Sequence, residues 1–207
     1  MKKSLIPFAC ALLLAACIST EQRVNQACAA YEAKQYAAAV PVFAKAAAEG
    51  NEQAQLMLGK CYDFGQGVEK NAVQAAHWYR MSAEQGNANA QDNLGTCYAL
   101  GSGVPLNLYS AYVWYSRAAA QNNASALNNL GLCYRNGEGV VQDADAAAAC
   151  FRRSADLGDS NGMYNLGRCY FHGLGVPQDE TQARLWVGKA AAKGHQNARL
   201  FMQDNAW

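Results

Sequence analysis

The spacing of marks along this 207-residue chain predicts an all-α solenoid, a stack of antiparallel helix pairs. Three observations carry that expectation. The block Leu58-Gly59-Lys60-Cys61-Tyr62 returns every 36 residues, at 94–98, 130–134 and 166–170. A second mark follows each block, as Gly65-x-Gly67-Val68, Gly101-x-Gly103-Val104, Gly137-x-Gly139-Val140 and Gly173-x-Gly175-Val176. Apolar residues between the marks keep helical spacing: Ala54, Leu58, Cys61 and Tyr62 share one face at i, i+4, i+7 and i+8. Units of this length hide their apolar faces against one another, and arrays of them present long binding surfaces more often than single catalytic clefts.

The chain opens with Met1, Lys2 and Lys3, followed by an almost wholly apolar stretch from Leu5 to Ala16. That stretch has the length of a secretory apolar region and is too short to span a bilayer. It ends in Leu14-Ala15-Ala16-Cys17, which resembles the bacterial lipoprotein box. The resemblance implies a signal peptide over 1–16, removed on export, and a diacylglycerol on the sulfur of Cys17. Residues 17–24 then form the lipidated cysteine and a short polar tether. Ile18, rather than aspartate, follows the cysteine. By the same resemblance this directs the chain to the outer membrane, facing the periplasm.

Residues 25–50 read as a compact opening helix pair without a Gly-x-Gly turn. Four repeats follow, at 51–86, 87–122, 123–158 and 159–194. In each, a first helix ends where a left-handed residue is needed, at Gly65 and its equivalents. Asn71, Asn107, Asp143 and Asp179 then cap a second helix, their side-chain oxygens accepting free backbone N–H groups. Pro105 and Pro177 lie in the preceding loops, where no helical hydrogen bond is lost. The units close at Gly86, Asn122, Gly158 and Gly194, residues that tolerate a left-handed cap. Residues 195–207 read as a C-terminal capping helix, with Ala198 and Phe201 facing the last repeat.

The combined pattern, Ala-x-x-x-Leu-Gly-x-x-Tyr-x-x-Gly-x-Gly-Val followed by an Asn or Asp cap, Ala, Trp-Tyr and a closing glycine, resembles the Sel1-like repeat, a relative of the tetratricopeptide repeat. It covers 51–194. Departures are few: Gly162, Cys150, Val187 and Asn122 replace the pattern's Ala, Trp, aromatic and Gly. The resemblance implies a right-handed superhelix of helix pairs. It also implies an adaptor, regulator or immunity-type role, exerted by holding a protein or peptide in the cell envelope.

In arrays of this kind the first helices line the concave surface. Taking Leu58 as the buried reference, the groove positions include Leu56, Lys60, Asp63 and Phe64 in the first repeat, and Asp92 and Leu100 in the second. The third contributes Asn128, Leu132 and Arg135, and the fourth Tyr164, Arg168, Phe171 and His172. These positions vary between units while the packing positions do not. Arg135, Tyr164, Arg168 and Phe171 form the strongest candidate cluster, because arginines and aromatics carry interface energy out of proportion to their number. Trp78, Trp114 and Trp186 read as packing between helices.

Several function classes are excluded or disfavoured. Loss of residues 1–16 removes Lys2 and Lys3 from a formal charge of +1, and no basic stripe remains for nucleic acid. The Gly-x-Gly turns lack the third glycine or the Lys-Ser/Thr of a phosphate cradle. His77, His172 and His195 stand outside any metal-ligand spacing, so neither a metal nor another cofactor is expected. The repeated cysteines lie on the apolar face as small buried fillers. Cys150 stands where other repeats carry tryptophan and could meet Cys133 or Cys169. Folding the turn at 158–159 opposes Cys150 to about residue 167, which favours Cys169 for a disulfide. The competing reading is an enzyme: some cysteine-rich exported members of the resembling family are described as β-lactam-binding or β-lactam-hydrolysing. The Ser-x-x-Lys of penicillin-recognising serine enzymes does not occur here, so no catalytic residue is assigned.

Overall fold

The structure is a computed structural model, and it describes residues 19–207. Cys17 and the signal region lie outside the described residues. Eleven helices and no strand occur among the described residues. In order these are α1 (Thr20–Glu32), α2 (Tyr36–Ala48), α3 (Glu52–Phe64), α4 (Ala72–Glu84), α5 (Ala88–Leu100), α6 (Leu108–Ala120), α7 (Ala124–Asn136), α8 (Ala144–Asp156), α9 (Ser160–His172), α10 (Glu180–Ala192) and α11 (Gln196–Asp204). The described residues form two compact units, divided between Trp78 and Tyr79 inside α4. None of the described helices is long and apolar enough to cross a membrane.

The first unit begins earlier than the sequence suggests. Ser19 accepts from the backbone N–H of Gln22, and the Gln22 side chain accepts from the Ser19 backbone. This capping box starts α1 at Thr20, so residues 20–24 are helical rather than tether, and Val24 is buried. The core of the unit is Val24, Ala27, Ala39, Phe43, Ala46, Ala54, Met57, Leu58 and Cys61, with Trp78 packed on it half-buried. The turn after α3 is locked onto the opening pair: Tyr31 donates to the Gln66 side chain, and Gln66 Nε2 donates to the Tyr36 hydroxyl at 3.2 Å.

In the second unit the repeated letters acquire separate jobs. The cysteine carbonyl of each block, at Cys97, Cys133 and Cys169, accepts the N–H of the left-handed glycine that ends its helix. The tyrosine carbonyl beside it accepts the N–H of the next helix's cap, Asn107, Asp143 or Asp179, at 2.9–3.0 Å. Those caps then accept from Ser110, Ala146 and Gln182, as expected from their side chains. The first helices have caps of their own in Asn87, Asn123 and Asp159. The glycine of each Leu-Gly pair lies inside a helix and admits an aromatic or aliphatic neighbour. A Cβ at Gly95 would stand 2.7 Å from the Tyr115 ring, and one at Gly131 2.6 Å from the Phe151 ring. One apolar cluster joins Ala111, Tyr115, Leu127, Leu130, Cys133 and Cys150; another joins Phe151, Leu166, Cys169, Val187 and Ala198. Trp114 and Trp186 are half-buried, with Arg117 over the first ring at 4.5 Å and Lys189 over the second at 4.0 Å.

Candidate functional site on the first helices

Helices α5, α7 and α9 carry equivalent residues at 36-residue intervals, and their neighbouring side chains join across repeats. Asn129 Nδ2 donates to Asp92 Oδ1 at 2.9 Å, and Asn165 Nδ2 donates to Asn128 Oδ1 at 2.8 Å. The third rung has the same separation but different chemistry. Tyr164 meets Phe201 of α11 edge-on, with ring centres 6.1 Å apart. A polar ladder therefore ends in an aromatic contact.

The ladder corrects part of the sequence reading. Asp92 and Asn128 were expected at the open groove; they are only 8% and 6% exposed, because the next first helix covers them and supplies their donors. Leu56 in the first unit is likewise buried, at 2% exposure. The remaining candidates keep accessible surface. Lys60 and Asp63 are half-buried, Phe64 and Leu100 are exposed, and Leu132, Arg135 and Arg168 are half-buried. His172 is exposed and sits edge-on to Phe171 at 4.9 Å.

Burial pushes the Asp92 carboxyl above the usual carboxylate range, opposed by hydrogen bonds from Ser125 and Asn129. The protonated form therefore favours the folded state. Stability from this group is full at low pH and falls as pH rises through the carboxylate range. Asp92→Asn retains the acceptor for Asn129, so it should raise the melting temperature at pH 7. The gain should vanish below about pH 3, where Asp92 is protonated in both states. Equal melting temperatures at pH 7 would contradict this reading of the site.

Two members of the expected cluster are already engaged within the chain. Tyr164 stacks on His195 at 4.6 Å, and Phe171 packs edge-on to Phe201 at 5.1 Å and Trp207 at 5.6 Å. His195 also caps α11, its Nδ1 accepting from the Ala198 N–H, and burial lowers its pKa. The sequence pointed to Phe201 as a packing residue but not to its contact with a groove residue. The arginines remain available. Arg135 donates to the side chains of Asn136 and Asn165, and Arg168 lies over the Tyr164 ring at 5.9 Å.

The expected Cys150–Cys169 bridge is absent: both are free thiols. Cys150 lies with Cys133 in one apolar cluster, whereas Cys169 belongs to the other. The direction in which α8 presents Cys150 decides this, and the register of the turn alone does not reveal it. Burial pushes the Cys61 and Cys133 thiols up to about 11 from an ordinary 9.0. Their thiolate fraction at pH 8 falls on the order of a hundredfold. Iodoacetamide should alkylate both that much more slowly in the native chain than in urea; comparable rates would show that they are not packed away. Among the described residues, no group of three or more His, Cys, Asp or Glu side chains could hold a metal ion.

Comparison with known proteins agrees with this geometry. The Sel1 repeat family profile matches residues 52–87, 88–123, 124–159 and 160–195. No curated protein matches the chain. Among solved structures, a Sel1 repeat protein from Oxalobacter formigenes is 37% identical with a TM-score of 0.81, over 88% of this chain and 72% of that one. The c5321 protective antigen of uropathogenic Escherichia coli, which displays an SLR fold, is 36% identical with a TM-score of 0.77. That match covers 86% of this chain, which spans only 39% of the antigen's length. Cysteine rich protein B of Helicobacter pylori is 27% identical with a TM-score of 0.51, over 66% of this chain and 98% of that one. The expected all-α solenoid class is thereby established. Arrays of this repeat are in general non-catalytic scaffolds for protein–protein interaction. The chain belongs to the Sel1 repeat family.

Proposed function

We propose that this chain is a lipid-anchored envelope scaffold that captures a protein or peptide on the first-helix, concave face of its repeat array. An adaptor, a regulator of an envelope component and an immunity protein all fit that description. The lipoprotein-like Leu14-Ala15-Ala16-Cys17 supports anchoring at Cys17, and the absence of aspartate after it supports the outer membrane, facing the periplasm. One observation carries the binding role. The ladder Asp92–Asn129 and Asn128–Asn165 fixes polar groups on the first helices, and Arg135 and Arg168 stand beside it half-buried, Arg135 hydrogen-bonded to neutral amides rather than to a carboxylate. A face used only for solvation has no need to hold its amides in register across repeats.

Photo-crosslinking in cells tests this. A crosslinking amino acid placed at Ser125 or Asn161, exposed on α7 and α9, should trap one and the same protein, identified by mass spectrometry. Placed at Ala149 or Leu185, exposed on the second helices α8 and α10, it should trap none of that protein. Equal adducts from both sets, or none from the first, would overturn the assignment of the binding face.

A further inference from the structure

We propose that the Tyr79–Trp207 unit recognises a two-point signature in an extended partner segment: an apolar side chain and, two or three residues away, a carboxylate. The proposal rests on the reading that the first-helix face binds polypeptide, and it specifies the chemistry of what is bound.

The apolar point is a cavity of about 160 Å³, walled by Leu108, Ala111, Tyr115 and Leu132, with Asn129 and Glu138 as polar edges. Drug-sized ligands occupy cavities of roughly 300–1,000 Å³, so this one suits a single side chain. Its place is set by α5, α6 and α7, since Ala99, Ala111 and Leu132 come from those three helices.

The charged point is the arginine pair. Arg135 lies one turn beyond Leu132 on α7 and is therefore its neighbour on the helix surface. Its guanidinium is fixed by neutral groups: Nε donates to Asn136 Oδ1 at 3.1 Å, and Nη1 donates to Asn165 Oδ1 at 3.3 Å. Asn165 is itself tied to Asn128 in the ladder. Arg168, from the equivalent position to Leu132 on α9, approaches closely enough for its charge to join burial in lowering the Arg135 pKa. The hydrogen bonds of the Arg135 guanidinium go to amide oxygens rather than to a carboxylate, with Glu138 acting on it only through its charge. Two like charges in a half-buried setting, held by neutral amides, carry a cost that the nearby Glu138 offsets only in part. A carboxylate placed between them would relieve it, with the forked hydrogen bonding that guanidinium groups provide.

Geometry and charge give the signature its spacing and direction. The cavity lies between α5 and α7, and the arginines between α7 and α9. Adjacent packed helices are about 8–10 Å apart, and an extended chain advances about 3.3 Å per residue. Two or three residues span that distance. Glu138 at the cavity edge, and Asp92 behind Asn129, repel a carboxylate that enters at the apolar point. The acid is therefore directed to the α9 side.

Fluorescence anisotropy with the purified full chain tests the proposal. The probe is a fluorescein-labelled, blocked peptide, Gly-Leu-Gly-Glu-Gly. It is compared with versions carrying Gln for Glu or Gly for Leu. The Leu/Glu peptide should bind at least about tenfold more tightly than either altered peptide. Arg135→Gln combined with Arg168→Gln should bring its affinity down to that of the Gln peptide while helical content is unchanged. Arg168→Gln alone, at a residue with no backbone role, should give a smaller loss in the same direction and serves if the double variant misfolds. Equal affinity for the Glu and Gln peptides, undiminished binding by the arginine variants, or no saturable binding at millimolar peptide would overturn the signature. Photo-adducts at Ser125 and Asn161 that persist alongside such a result would reject this chemistry and leave the binding face standing.

Discussion

Gly175→Ala should destabilise the chain by about 2–5 kcal/mol, read as a lowered urea midpoint. The residue sits at φ +68°, where an L side chain costs about 1–2 kcal/mol. An added Cβ would also lie 1.9 Å from the Ala144 carbonyl oxygen at the start of α8. That obstacle is backbone, so relief requires the loop and α8 to separate, at the 1–3 kcal/mol typical of overpacking. Gly139 repeats the arrangement one unit earlier, 2.2 Å from the Leu108 carbonyl oxygen at the start of α6. At Gly139 and Gly175 the second glycine of the Gly-x-Gly mark thus does more than turn the chain: it lets one repeat's loop rest on the helix start of the repeat before. Gly188→Ala is the matching control. It lies inside α10 with nothing within 4 Å of an added Cβ, so alanine should stabilise by about 0.5–1 kcal/mol. A Gly175→Ala chain as stable as the parent would refute the proposed contact between repeats.

Removing residues 196–207 should cost about 3–5 kcal/mol, the range for losing a large aromatic from a packed cluster, and should cause self-association. Helix α11 brings Phe201 against Tyr164 and Phe171, and Trp207 against Phe171 and Phe201, each pair with centres 5.1–6.1 Å apart. Ala198 beneath them is fully buried in the same cluster as Leu166 and Val187. Without this helix the face of the last repeat is left apolar and open, the condition that terminal caps of repeat arrays prevent. Urea unfolding and sedimentation velocity check both parts. A truncated chain that stays monomeric with an unchanged midpoint would mean that the aromatic cluster contributes little.

The fold was legible because its signals are local and repeated. A glycine where a helix must end, and an Asn or Asp where the next must begin, need no knowledge of distant residues, and four copies make each one clear. Caps on the first helices were harder to see. Asn87, Asn123 and Asp159 adjoin the residues that close the preceding unit, and two adjacent turn-forming residues do not reveal which one caps. The site was legible in part. Arg135 and Arg168 were read as varying polar residues of the groove and keep accessible surface, but Asp92 and Asn128, expected beside them, are buried. Periodicity gives the direction of a side chain from its own helix axis. It does not say how closely the next helix approaches.

What the sequence by itself determined is the set of one-dimensional facts: helix lengths, turn positions, the repeat, and an N-terminal pattern resembling a lipoprotein signal. These follow from backbone preferences and apolar period, which act over a few residues. Tertiary structure alone decided which side chains meet across repeats. It put Asn129 on Asp92, seated Cys150 beside Cys133, brought the Arg168 charge near Arg135, and covered Tyr164 with α11. Those outcomes depend on the separation and rotation of packed helices, where a shift of a few ångströms separates a hydrogen bond from open solvent.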